Sequence, residues 1–406
     1  MKLGQAHRPE KPAPVPATEA QPVVKVDMET ENTQSQPPAP DIDVTVPNIP
    51  MPEQVQSAEI KDTFDAGFKF AFIGSGQGGS SIAQTFYKLG YRRVCAVNTA
   101  EQDLAHIGLP AASKWCFGDG GAGKDPAKAG KLIAEKKEDA LDFMRRSFGP
   151  GFDRVIICAG AGGGTGAGTA VHLIDAAIEL QKALHCPTEQ VGVILALPKL
   201  SEGQRVSLNA HNVLTALWTL VDKGLVSPLI LLDNERIGSL YPSLAVDPFW
   251  DTANASVCSL FHLFNSITVS SSHYSTFDRN DLKTVLDSGL ITFGATPVAK
   301  WGDATDISYA VRSNLKSNIL SGGVDIGTGT VAGVVVIGGA AVLNGIPQTH
   351  LDHAFDQMNR LLRQPSVVHR GIYRGNQNNL VVYTTIGGLA QPTAKLNELK
   401  RVAGLP

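Results

Sequence analysis

The sequence predicts an α/β protein: a doubly wound parallel domain, a long connecting helix, and a smaller α/β C-terminal domain with a mixed sheet. Three observations predict it. Apolar runs of strand length alternate with stretches of helical periodicity; each strand is apolar throughout, as strands covered on both faces are; and glycine clusters stand at the strand ends. Ligands of such sheets sit beyond the carboxyl ends of the strands, where these clusters lie.

The elements follow in order. Residues 69–73 (KFAFI) form a short apolar run, stopped by GSGQGGSS (74–81), after which Ile82, Phe86 and Leu89 recur at helical spacing. Residues 93–97 make a second strand. Beyond a glycine-rich loop (118–126), one long charged helix is expected over about 127–148. Residues 154–158 (RVIIC) are cut by AGAGGGTGAG (159–168), which opens another helix, so strand, glycine loop and helix occur twice in succession. Strands at 191–197 and 229–232 flank a helix near 203–221, and a long helix over about 248–267 leads out of this domain. The rest predicts a strand (290–296), a helix (305–320), a strand (330–337), a helix (347–363), and two strands near 367–373 and 379–386. The chain then divides into a tail (1–63), the glycine-loop domain (64–246), a connecting helix and loop (247–280), the smaller domain (281–390) and a short basic end (391–406).

Composition supports that division. The net charge of −3 is uneven: residues 1–63 carry ten acidic against five basic side chains, 11 of the 24 prolines, and no Phe, Tyr or Trp. Such a tail buries too little apolar surface to offset its ordering entropy, so it is expected to be disordered, with the fold beginning at about Phe64. The N-terminus has no apolar run of signal-peptide length. The longest apolar stretch, residues 331–343, is interrupted by three glycines and is too short to span a bilayer. A soluble, cytoplasmic protein without a transmembrane segment is expected. Five widely spaced cysteines (Cys95, Cys116, Cys158, Cys186, Cys258), with no CxxC and no histidine at ligand spacing, argue against a disulfide framework or a zinc site. The body has no basic cluster, which argues against direct nucleic-acid binding.

The glycine loops carry the chemistry. Gly74, Gly76 and Gly79 satisfy GxGxxG between strand and helix, a dinucleotide signal. That signal also requires an acidic residue at the end of the second strand, where Asn98 and Thr99 stand instead. No Walker A sequence occurs. The second loop, residues 162–168, removes successive Cβ atoms at a helix start, so backbone N–H groups can converge on phosphate oxygens, and Thr165 adds a hydroxyl donor. A glycine-rich packing turn is the competing explanation of either loop. Two such loops, both at strand carboxyl ends and both opening helices, favour a polyphosphate ligand.

GGGTGAG (162–168) resembles the signature loop of the tubulin/FtsZ superfamily of polymerising GTPases, and the likeness runs over about residues 68–390 in the family's order. GSGQGGSS is similar to the family's first phosphate loop, NTAEQDL (98–104) to the FtsZ NTDxQxL segment, and GGAGKDP (120–126) to the loop that closes over the terminal phosphate. The resemblance implies GTP or GDP with Mg²⁺. Its phosphates would lie on Gly76, Gln77, Gly78, Gly79 and Ser80, on Ala122, Gly123 and Lys124, and on Gly162, Gly163, Gly164, Thr165 and Gly166. Lys124 stands where the family has a small residue. Asn98 would serve the ribose and base side, as would Glu202 and Arg205 of LPKLSEGQR (197–205), with Arg205 one residue nearer Glu202 than in FtsZ. Asn234 of LLDNERI would contact guanine. Mg²⁺ would be held by phosphate oxygens and water, with no protein ligand.

Two pairs have a local explanation and an implied one. Trp250 and Asn254 lie four apart on one helix face, as a core residue and a local cap would; the resemblance implies an indole stacked on guanine and a carboxamide reading its edge. Asp278 and Asp281, in TFDRND (276–281), project to one side of a helix start, which is a capping pattern. The segment is also similar to the NxDxxD loop that a neighbouring subunit inserts to complete GTP hydrolysis, except that Thr276 replaces the family asparagine. The function implied is a polymerising GTPase forming head-to-tail filaments of its own copies. The alternative is a nucleotide-binding regulatory or scaffold member that forms no long filaments. FtsZ ends in a linker and an adaptor-binding peptide, whereas this sequence stops about 15 residues after its last strand. The N-terminal tail is therefore expected to engage an adaptor or control bundling, and a divergent FtsZ-like, CetZ-like or phage-tubulin-like branch is implied.

Overall fold

The computed structural model describes residues 60–243, 245–272, 274–317, 320, 322–363 and 365–406. The expected acidic tail lies, up to residue 59, outside the described residues. The first half forms β1 (Phe70–Ser75), α1 (Gly76–Lys88), β2 (Val94–Asn98), α2 (Glu101–Ala105), β3 (Lys114–Cys116), α3 (Pro126–Glu135) and α4 (Lys137–Phe148). There follow β4 (Arg154–Gly160), α5 (Thr165–Ala183), β5 (Val191–Leu197), α6 (Gln204–Asp222), β6 (Val226–Asp233), α7 (Asn234–Leu240) and α8 (Val246–Ile267). The second half adds α9 (Arg279–Leu286), β7 (Leu290–Val298), α10 (Ala304–Ser317), β8 (Val331–Gly339), α11 (Ala340–Asn344), α12 (Gln348–Leu361), β9 (Val367–Gly375), β10 (Leu380–Leu389) and α13 (Thr393–Ala403).

All ten strands join one sheet, in the order β3-β2-β1-β4-β5-β6-β7-β10-β8-β9. The strands from β3 through β7 are parallel, and the antiparallel β10 joins β7 to the parallel pair β8 and β9. The α/β class, parallel core and mixed second half are as the sequence predicts. Period-two alternation divides the core between the sheet faces. Phe70 and Phe72 of β1 share one apolar cluster with Phe86 of α1 and Phe261 of α8, while Ala71 and Ile73 belong to the cluster on the other face, with Leu173 of α5 and Leu214 of α6. The Phe72 and Phe86 rings stack with centroids 3.9 Å apart.

Three expectations are corrected and one strand is added. The long helix over 127–148 is two, because Lys136 leaves helical geometry (φ −112°, ψ 29°). The break lets α3 lie on α5 while α4 reaches both α5 and β2, which one straight helix cannot do. Strand β3 was too short to stand out in the sequence. The fold begins before Phe64: the Asp62 carboxylate accepts from the Arg92 N–H (2.8 Å), and Thr63 N–H donates to the Gly90 carbonyl (3.0 Å). The basic end is helix α13, whose buried Leu396, Leu399 and Ala403 make an apolar stripe against α6. Its Lys395 reaches the Asp233 carboxylate at 2.7 Å with both side chains buried, and Gln204 donates to the Ala403 carbonyl (2.9 Å).

Asn265 on α8 anchors the approach to β1, accepting from the Phe68 N–H and donating to the Phe68 carbonyl, both at 2.9 Å. One turn earlier, His262 lies 3.4 Å from the Tyr91 hydroxyl, with the Phe64 ring edge-on at 4.4 Å. Burial pushes the His262 imidazole down to about 4 from 6.5. Between those values the unfolded chain binds a proton that the folded chain refuses, so this contribution is complete above the unfolded value and is lost as pH falls toward the folded one. The loss is on the order of 3 kcal/mol. The melting temperature is expected to drop between pH 7 and pH 5 by less in His262→Gln than in the wild type; equal drops would exclude His262 as the cause.

Candidate functional site

Neighbouring strands β1 and β4 end level, Ser75 beside Ala159. From there α1 packs on one face of the sheet and α5 on the other, so a crevice opens at the point where the strand order reverses. Gly76 starts α1 at φ +68°, a left-handed value that a side chain resists. Gly166, in the first turn of α5, sits so close to Gly160 that a Cβ would lie 2.6 Å from the Gly160 oxygen. These two glycines let the loops approach each other.

A cavity of about 750 Å³ occupies the crevice. Gly76, Gln77 and Gly78 line it from α1, Ala122, Gly123 and Lys124 from the loop before α3, and Gly162 through Gly166 from the loop and first turn of α5. Glu202, Asn234, Trp250 and Asn254 complete it, so residues far apart in sequence share one space. Four predicted residues lie off the lining. Gly79 packs against the Cys158 carbonyl, and Ser80 is buried with its hydroxyl 3.4 Å from the Gly74 oxygen. Asn98 is buried, its Oδ1 accepting from the Thr99 N–H (2.7 Å) and its Nδ2 donating to Asp103 (3.1 Å). Arg205 donates from Nε to the Lys124 carbonyl (3.1 Å), supporting the loop from behind.

The lining suits an anion with an attached ring. Helices α1 and α5 both begin at the cavity, with no side-chain N-cap and no acidic residue in the first turn. Their first N–H groups and dipoles are therefore available to an anion, whereas Asp125 and Asp278 occupy the same groups of α3 and α9. Trp250 is 48% exposed, and Asn234 is 5% exposed with an Oδ1 that has no hydrogen-bond partner. A buried acceptor left unpaired is costly, and a ligand N–H would satisfy it.

Asp278 and Asp281 do not line this cavity. Asp278 caps α9, its Oδ1 accepting from the N–H groups of Asn280 (2.7 Å) and Asp281 (3.0 Å). Asp281 Oδ2 accepts from the Asp278 N–H (3.0 Å), and its Oδ1 meets His369 Nδ1 at 2.7 Å. The capping geometry read from the sequence is thus present. Asp278 Oδ2 has no hydrogen-bond partner among the described residues. Phe277, buried beside them, fixes the loop to β9: its N–H donates to the Tyr373 hydroxyl (2.8 Å), which donates to the Phe277 carbonyl (3.1 Å).

No family model matches the sequence. The tubulin-like protein TubZ of Bacillus cereus is 24% identical over 251 residues, 57% of this chain and 55% of TubZ, so the chain spans about half the length of that relative. Cell division protein FtsZ 1 of Pyrococcus furiosus is 26% identical over 308 residues, covering 73% of this chain and 75% of FtsZ 1. The crystal structure of a GTPγS-form protofilament of Bacillus thuringiensis serovar israelensis TubZ superposes with a TM-score of 0.72 at 21% identity, covering 84% of this chain and 93% of that one. The chain has the tubulin/FtsZ fold and is similar in sequence to TubZ and FtsZ.

The cavity has further lining beyond the residues that the sequence singles out. Thr99 comes from the turn before α2, Gln102 and Asp103 from α2 itself, and Pro198 and Val206 from either side of Glu202. Asp103 belongs to the NTAEQDL motif, so its signal was present. Asn209, buried on α6, had none: its Nδ2 donates to the carbonyls of Lys124 (3.1 Å) and Gly162 (3.2 Å), tying two loops of the cavity together.

Proposed function

We propose that this chain is a GTPase that assembles head to tail and hydrolyses GTP where the Asp278 and Asp281 loop of one subunit meets the cavity of the next. One observation carries it: a single cavity gathers two uncapped helix starts for phosphates and a half-exposed indole with a buried, unpaired carboxamide oxygen for a base. The protofilament form of the TubZ relative supports the assembly. Trp250 stacks on the base, Asn234 and Asn254 hydrogen-bond its edge, and Glu202 serves the ribose side.

No cluster of three or more His, Cys, Asp or Glu side chains able to hold a metal occurs among the described residues. Mg²⁺ would arrive on phosphate oxygens and water, neutralising charge on the transferring group. The chain's own part is positioning. The loops before α3 and α5 fix the phosphates, and the neighbour's Asp278, with Oδ2 unengaged, orients the attacking water. A heterologous contact of this kind produces open filaments. GTP turnover per subunit is expected to rise steeply with protein concentration, in step with filaments seen by electron microscopy. Concentration-independent turnover would favour a self-contained enzyme, and nucleotide binding without turnover or filaments a regulatory member.

A further inference from the structure

We infer that Lys124 is the residue by which the cavity distinguishes a nucleoside triphosphate from a diphosphate. The inference rests on the nucleotide assignment above and adds a role to one residue of that site.

Three independent observations converge on Lys124. The first is charge. Among the described residues lining the cavity, Lys124 is the sole lysine or arginine, set against the carboxylates of Asp103 and Glu202. Two further cations stand at the same loop but are engaged with its carbonyls, Lys128 Nζ on Gly121 (2.9 Å) and Arg205 Nε on Lys124 (3.1 Å), so Lys124 is the lining cation left to answer the charge that a further phosphoryl group adds.

The second is backbone conformation. Asp125 N–H donates to the Ala122 carbonyl (2.9 Å), closing a turn whose central residues, Gly123 and Lys124, have φ of +57° and +59°. That is the φ pattern of a type I′ turn, which favours Gly, Asn or Asp at both centres. The other described non-glycine residue at positive φ, His185, follows the end of α5, where helices commonly turn left-handed. Lys124 ends no helix. Its strained conformation persists because its surroundings hold it, and such strain concentrates at functional sites.

The third is the support itself. The Lys124 carbonyl accepts from Arg205 Nε and from Asn209 Nδ2, both at 3.1 Å, and Asn209 also holds the Gly162 carbonyl. Two side chains of α6 thus fix the position of Lys124 relative to the loop before α5. A lysine needed only as a solvated surface charge would require neither the left-handed backbone nor the double anchor.

The test uses the full chain and measures its affinity for GTPγS and for GDP by titration calorimetry, with melting temperature as the structural control. The wild type is expected to prefer GTPγS. Lys124→Gln removes the charge and Lys124→Gly removes both charge and strain; each should lower that preference by about tenfold, chiefly through GTPγS. Lys124→Arg should retain it. Lys124→Gly should hold its melting temperature within about 2 °C or raise it, because glycine takes the left-handed turn freely. An unchanged preference in both the Gln and Gly variants would overturn the role of Lys124 while leaving the nucleotide site intact. So would a wild type that binds the two nucleotides equally. A wild type that binds neither would overturn the nucleotide assignment and this inference with it.

Discussion

Asp278→Asn is expected to lower GTP turnover per assembled subunit by about a hundredfold or more, while filaments still form and persist. The variant separates chemistry from folding. Asparagine is as good an N-cap as aspartate, so its side-chain oxygen can keep accepting from the N–H groups of Asn280 and Asp281. What disappears is the anionic oxygen that the cap leaves unengaged. Asp281→Ala should reduce turnover comparably, but at a cost of about 1 kcal/mol in stability, because it removes an acceptor for the Asp278 N–H and the partner of His369. Turnover and pelleting, measured on the same samples, decide the matter. Normal turnover in Asp278→Asn would remove this loop from the mechanism.

Two glycines of the loop at the end of β4 should respond in opposite ways. An added Cβ at Gly163 meets nothing within 4 Å, and the residue lines the cavity. Gly163→Ala should therefore keep the wild-type melting temperature and lose nucleotide affinity by about a hundredfold, roughly two lost hydrogen bonds to a charged group. At Gly166 the same Cβ would lie 2.6 Å from the Gly160 oxygen and 2.8 Å from its nitrogen. Gly166→Ala should force the loop off β4 and lower stability by about 2 kcal/mol, with affinity falling as a consequence. Thermal denaturation and nucleotide titration of both variants distinguish the cases. If Gly163→Ala bound GTP like the wild type, the loop would be a packing device and not a phosphate cradle.

The sequence was most informative where burial is complete on both sides of the sheet. β4 and β5 stand out as apolar runs because their residues face helices in both directions, and the glycine loops stand out because backbone approach excludes side chains. β3 is three residues long and half-buried, below the length at which a pattern forms. The break at Lys136 has no proline or glycine to announce it, since it arises from where α3 and α4 must pack. Asn209 was invisible for a different reason: a buried asparagine in an amphipathic helix looks like an ordinary polar position until its partners, the carbonyls of Lys124 and Gly162, are brought to it. Asp278 and Asp281 were legible as a cap because capping is local. Their relation to a cavity on another copy is not a local property.

The join between β6 and β7 has a practical consequence for how this protein can be made. Leu229 pairs with Leu290 and Ile230 with Ile291, so the parallel half of the sheet runs directly into the mixed half. A fragment ending at residue 246 would leave the entirely buried β6 as a bare apolar edge with unpaired N–H and C=O groups, a template for aggregation. It would also lose α13, whose Lys395 neutralises the buried Asp233 at the end of that same strand. The two halves are therefore one production unit, and nucleotide-binding work on an isolated first half would report on a damaged sheet.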